Sequence, residues 1–210
     1  MALDVQGVVG PQTLADGSKA LPRLGKSGEV IAGIYGGKYS EWAYRGMLYH
    51  AATAATGVAP GTALSTTAAF ALANPAGSGV NLYVCSFGVG YISGTLGAGH
   101  ICCAVSRTLT DAAASGTAIT PLNALIGGAA GKGLAFTTAT LATTPVEAFP
   151  VWTLSAALAS TAVQAFTDGF YDVDGKVILM PGTELALEGI AAAGTSPLVV
   201  LSCSWAELPL

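Results

Sequence analysis

The chain has 210 residues, of which 52% are apolar and 10% charged, with 8 basic against 12 acidic side chains and a formal net charge of -4. Scattered Lys and Arg offer no cationic stripe for a phosphate backbone, which argues against direct nucleic-acid binding. The uncharged stretch between Arg45 and Arg107 is broken by Gly57, Pro60, Gly61, Asn74 and Pro75, so it is no membrane span, which needs about 20 nearly unbroken apolar residues.

The opening "MALDVQGVVG" lacks the basic and apolar regions of a secretory signal, and synthesis and folding in cytosol are expected. Residues 1–27 alternate Gly, Pro and single charges without a sustained apolar period, which predicts an extended N-terminal arm. Lys19, Arg23 and Lys26 lie on it and are expected to meet acidic patches on a partner. From "EVIAGIYGG" onward, residues 28–210 read as one β domain. Its strand-like runs are "EWAYRGMLYHAAT", "AAFALAN", "VNLYVCSFGVGYI", "HICCAVSRTL", "LAFTTATLA", "PVWTLSAALAS", "KVILMPGTELALE" and "PLVVLSCSWAEL". Separated by Gly, Pro, Asn and Ser clusters, they predict an all-β sandwich or barrel, with one or two short helices at most. "SAALASTAVQAF" is alanine-rich without a polar face and fits either a helix or a strand.

Local signals refine this reading. Trp42 and Tyr44 in the first run are candidate interface anchors. "DVDGK" predicts a tight hairpin turn at Asp174-Gly175, and Met180-Pro181-Gly182 a bend at a sheet edge. In "TELALE", Leu185 and Leu187 point one way while Glu184, Ala186 and Glu188 point the other, as in a half-buried strand. The expected core comprises Val177, Ile178, Leu185, Leu187, Val199, Leu201 and Trp205.

Chemistry-bearing motifs fail on spacing. "GGAAGKG" has Ile126 where a phosphate loop needs its first Gly and Gly133 where it needs a hydroxyl, so it reads as a flexible turn. "GVGYISG" carries its third Gly one position late for a dinucleotide fingerprint. The acids of "DGFYDVDG" miss the EF-hand pattern at Phe170 and Pro181. Cys85, Cys102, Cys103 and Cys203 form no C-x-x-C pair and are expected as reduced, buried small hydrophobes. His50 and His100 each read as a lone packed or interfacial imidazole. The aromatics Trp42, Trp152, Trp205, Tyr35, Tyr39, Tyr44 and Tyr49 read as core or subunit-contact anchors rather than a ligand platform. No catalytic residue, metal or cofactor is expected, and the chain is not read as an enzyme.

The run from Asp174 to Leu210, with its D-G-K turn, "LMPG" and the closing "SWAE", resembles the last strands of jelly-roll virion proteins of tailed bacteriophages. Size and the irregular basic start are most similar to the capsid decoration or cement proteins among them. The resemblance implies a jelly-roll sandwich made in the host cytoplasm and seated as a homotrimer on the outer surface of the virion, where it joins neighbouring major capsid proteins. A tail, fibre or host-receptor-binding jelly-roll module is the second reading.

Overall fold

The computed structural model describes residues 8–9, 23–24, 37–105, 114–154, 157–159 and 169–210. The chain divides into two units, Met1–Ser40 and Glu41–Leu210. In the first, β1 (Val8–Val9) and β2 (Arg23–Leu24) form a short parallel pair. Apart from these two strands, the arm expected at residues 1–27 lies outside the described residues.

The remaining elements are α1 (Ser40–Tyr44), β3 (Leu48–Ala52), β4 (Thr67–Asn74), β5 (Val80–Ser93), β6 (Thr95–Leu96), β7 (Gly99–Val105), β8 (Ser115–Ile119), β9 (Leu122–Asn123), β10 (Leu134–Thr140), β11 (Val146–Leu154), β12 (Leu158–Ala159), β13 (Phe170–Asp172), β14 (Ile178–Leu179), β15 (Thr183–Ala191) and β16 (Leu198–Pro209). They build two antiparallel sheets, β11-β7-β15-β4-β10-β8 and β13-β5-β16-β3-β9, with β14 also on β5 and a small β6-β12 pair apart. The fold is the expected all-β sandwich.

Its connectivity is that of a jelly roll. Across the two large sheets β3 pairs with β16, β4 with β15, β5 with β13 and β14, and β7 with β11. First therefore meets last and the pairs nest inward, so the chain behaves as one long hairpin rolled into two sheets. Strands β8, β9 and β10 are inserted between β7 and β11 and widen both sheets beyond β4 and β3.

The core lies between the sheets and follows from strand alternation. Val199, Leu201, Cys203 and Trp205 face inward from β16, against Phe70, Leu72, Ile101, Leu185 and Leu187 of the other sheet. Five of the seven expected core residues are thus buried, and Val177 packs partly buried against them. Ile178 does not belong to the core: it is 44% exposed, because β14 is a two-residue edge segment in which Leu179 takes the inward position.

Other expectations change with tertiary context. "EWAYRGMLYHAAT" is not one strand: Ser40 Oγ bonds the Gly37 carbonyl at the start of α1, Glu41 and Arg45 pair at (i, i+4), and β3 begins only at Leu48. The Asp174-Gly175 turn forms, with φ of 52° and 72°. It closes no hairpin, because β13 and β14 both pair with β5; it is an excursion within one strand. "TELALE" is not half-buried: Glu184, Ala186 and Glu188 are as inaccessible as Leu185 and Leu187. On that outer face Ala68, Ala71, Ala139, Leu141 and Ala186 make a second small cluster, packed by Ala114 and Phe136. The "SAALASTAVQAF" segment lies almost wholly outside the described residues.

Candidate functional site

Of the expected interface residues, Lys19 and Lys26 lie outside the described residues, and Arg23 is placed only as backbone in β2. Trp42 is half-buried, its ring 6.4 Å from that of Tyr83 on β5. Tyr44, two residues on, is 79% exposed. Larger apolar groups stand at the two lateral sides of the sandwich. On the β8 and β9 side, Leu122, Leu125 and Ile126 are exposed, held there by Asn123, whose amide donates to the carbonyls of Gly46 and Ala129. On the β11 and β13 side, where Phe149 stacks on Tyr171 at 5.2 Å, Phe170, Ile178 and Met180 are exposed.

The glycine-rich "GGAAGKG" loop is not a free turn. Backbone N–H groups of Lys132 and Gly133 donate to the Glu207 carboxylate at 2.8 Å, and the Trp205 indole N–H adds a third donor at 3.3 Å. The anion that this loop cradles is the protein's own side chain. Close approach explains its glycines: a Cβ on Gly131 would stand 2.6 Å from Glu207 Oε1, and one on Gly133 3.0 Å from both Leu82 and the Trp205 ring nitrogen. Tyr49 stacks beside Trp205 at 6.1 Å and reaches the Ala129 carbonyl. Burial, and then the Glu207 charge, push its phenol above the ordinary range, while Asn123 opposes them. The closing "SWAE" therefore acts as a latch for the inserted loop.

A third arrangement lies on the outer face of the first sheet. β7 alternates, so Ile101 and Cys103 enter the core while His100 and Cys102 share the opposite face. The pairing with β11 brings Glu147 to the same place, its Oε1 3.0 Å from His100 Nε2, and the ligand atoms of His100, Cys102 and Glu147 all lie within 4.8 Å of one another. On the other flank Glu188 of β15 stands in register opposite Cys102. Glu188 is 1% exposed; one carboxylate oxygen accepts the Ser65 N–H at 2.9 Å, and the other has no hydrogen-bond partner. Burial pushes this carboxyl up to about 7, with the Ser65 N–H pulling the other way. Burial likewise pushes the Cys102 thiol up to about 12, with Glu147 and Glu188 adding to it. His100 is thus not a lone imidazole.

His50 and Ser204 face each other in register across β3 and β16, with Nδ1 2.7 Å from Oγ on an exposed surface. The four cysteines are buried thiols, as expected of small hydrophobes, and burial raises Cys103 to about 12 and Cys203 well above the usual range. Among the described residues no helix is long and apolar enough to cross a membrane. No protein-family description matches the chain, and no curated protein or solved structure matches it.

Proposed function

We propose that the chain is a structural virion subunit, a capsid decoration or cement protein that self-associates as a homotrimer and binds the outer surface of a phage head. The observation that carries this reading is the pair of opposed lateral sides of the jelly roll, each presenting exposed apolar side chains on a body with few charges. Leu122, Leu125 and Ile126 on one side and Phe170, Ile178 and Met180 on the other are unlike patches. Contact between unlike patches is heterologous and closes into a ring when the rotation allows, whereas a twofold dimer reuses one patch. A cyclic trimer is the small closed ring of this kind.

The chemistry of cementing needs contact area rather than reactive groups. A subunit that binds the assembled shell and not its separated parts stabilises the shell by mass action. One that bridges two major capsid proteins gains further from effective concentration. A buried latch and a doubly packed sheet give such a subunit a rigid body to transmit load.

Sedimentation of the full chain, followed by co-sedimentation with phage heads lacking it, tests the reading. A trimer that decorates heads and restores their heat resistance is expected, and the double variant Ile126→Ser with Phe170→Ser sediments as a monomer. A monomeric wild-type chain that leaves heads unchanged overturns it. Adsorption to host cells in place of heads would transfer the chain to the tail or receptor-binding reading.

A further inference from the structure

The polar cluster on the outer face of the first sheet has no role in a contact protein, yet its donor set is specific. It combines an imidazole, a thiol and a carboxylate on two adjacent strands with a second buried carboxylate on a third. We propose that His100, Cys102 and Glu147 bind one zinc ion per chain, with Glu188 supplying the fourth ligand.

Geometry supports the assignment. A tetrahedral zinc ion with bonds of about 2.0–2.3 Å keeps its ligand atoms roughly 3.3–3.8 Å apart. The three ligand atoms lie within 4.8 Å of one another, and His100 Nε2 and Glu147 Oε1 already lie 3.0 Å apart. Closing the widest of these three separations takes about 1 Å of side-chain movement, and Glu188, outside that group, reaches it by swinging from its in-register place opposite Cys102. Adjacent strands hold these side chains more firmly than loops would.

An independent observation points to the same place. A buried carboxylate oxygen without a hydrogen-bond partner is costly, and in native structures such a group asks for a partner, a water or an ion among them. Glu188 carries one directly across the ladder from Cys102, while its other oxygen is fixed by Ser65. Neighbouring strands add no like-signed cation: β15 contributes Glu184, Ala186 and Ile190 along this face, and β11 contributes Glu147. Two carboxylates and a thiol crowded on a face with one imidazole form an electron-rich pocket that a dication neutralises.

The choice of zinc follows from ligand softness. A thiolate with an imidazole disfavours magnesium and calcium, which take oxygen ligands, and suits zinc or its cobalt surrogate. On binding, the Cys102 proton leaves to water and the sulfur–metal bond replaces the S–H bond; His100 binds as the neutral ring through Nε2 with its proton on Nδ1. No electron changes hands. The side chains of His100 and Glu147 are 26% and 33% exposed, which leaves a path from solvent.

The test titrates zinc into the chelator-treated full chain against a chromophoric competitor. One equivalent per chain is expected, with a rise in melting temperature, and affinity falls more than about tenfold in Cys102→Ser and in His100→Ala. Cobalt(II) in place of zinc gives a thiolate charge-transfer band that Cys102→Ser abolishes. Circular dichroism of the metal-free variants checks that they fold; should Cys102→Ser fail, the partly exposed His100→Ala and Glu147→Gln carry the decision. Absence of stoichiometric uptake, or uptake unchanged by His100→Ala and Glu147→Gln, overturns the proposal. Because neither readout involves shells or oligomers, it stands or falls apart from the proposed function.

Discussion

Two buried glutamates separate what this fold uses for strength from what it holds in reserve. Glu207 is 7% exposed and collects three donors: two loop N–H groups and the Trp205 indole. Glu188 is less exposed still and receives one, from Ser65. Both sit on inner strands of a sheet, so burial alone does not distinguish them. The difference lies in the company. A loop rich in glycine brings backbone close enough to saturate Glu207, whereas Glu188 faces a thiol whose S–H reaches the Glu188 backbone carbonyl, not its carboxylate. A saturated buried anion is structure; an undersupplied one beside a thiol and an imidazole is a place for a cation.

The contrast can be broken by substitution. The largest effect is expected for Glu207→Ala, which orphans the buried Gly133 N–H, the part-buried Lys132 N–H and the buried Trp205 indole; a loss of about 3 kcal/mol is expected in urea unfolding. A loss under about 1 kcal/mol would mean that the loop finds water or other acceptors instead. Next comes Gly133→Ala, whose added methyl presses on Leu82 and Trp205; about 1–3 kcal/mol of destabilisation is expected, without loss of fold by circular dichroism. Smaller, and of opposite sign, is Glu188→Gln measured with chelator in mildly alkaline buffer. It removes an underserved buried charge, and the metal-free protein should gain up to about 1 kcal/mol while losing zinc affinity. The smallest is Tyr44→Ser, within about 0.5 kcal/mol, since so exposed a ring contributes to contacts and not to the core.

The two-sheet plan was readable because long strands announce themselves. "VNLYVCSFGVGYI" and "PLVVLSCSWAEL" are long apolar runs holding β-branched and aromatic residues, and they are β5 and β16, the longest strands among the described residues. β8 escaped because "SGTAI" is made of small residues that mark loops as readily as edge strands, and β13 because its three residues sit inside an acidic turn. Alternation in "TELALE" gave the right two faces but not their burial: an acid at an outward position looks solvated until the tertiary structure covers it. The zinc cluster was not legible: His100 and Cys102 lie two apart on one face of a strand but read as a lone imidazole and a buried small hydrophobe. Glu147 lies 47 residues away from His100 and joins only through the β7–β11 ladder, and Glu188 only through β15. The latch was hidden for the same reason, since its loop and its anchor are more than 70 residues apart.

β16 is inserted between β5 and β3 in the second sheet, and Trp205 at its centre is wholly inaccessible. A ribosome therefore exposes β3 and β5 long before the strand that joins them has been translated, and the sheet cannot close until synthesis has passed Pro209. Pairing of such distant segments is slow, so the emerging polypeptide waits with open strand edges until β16 follows.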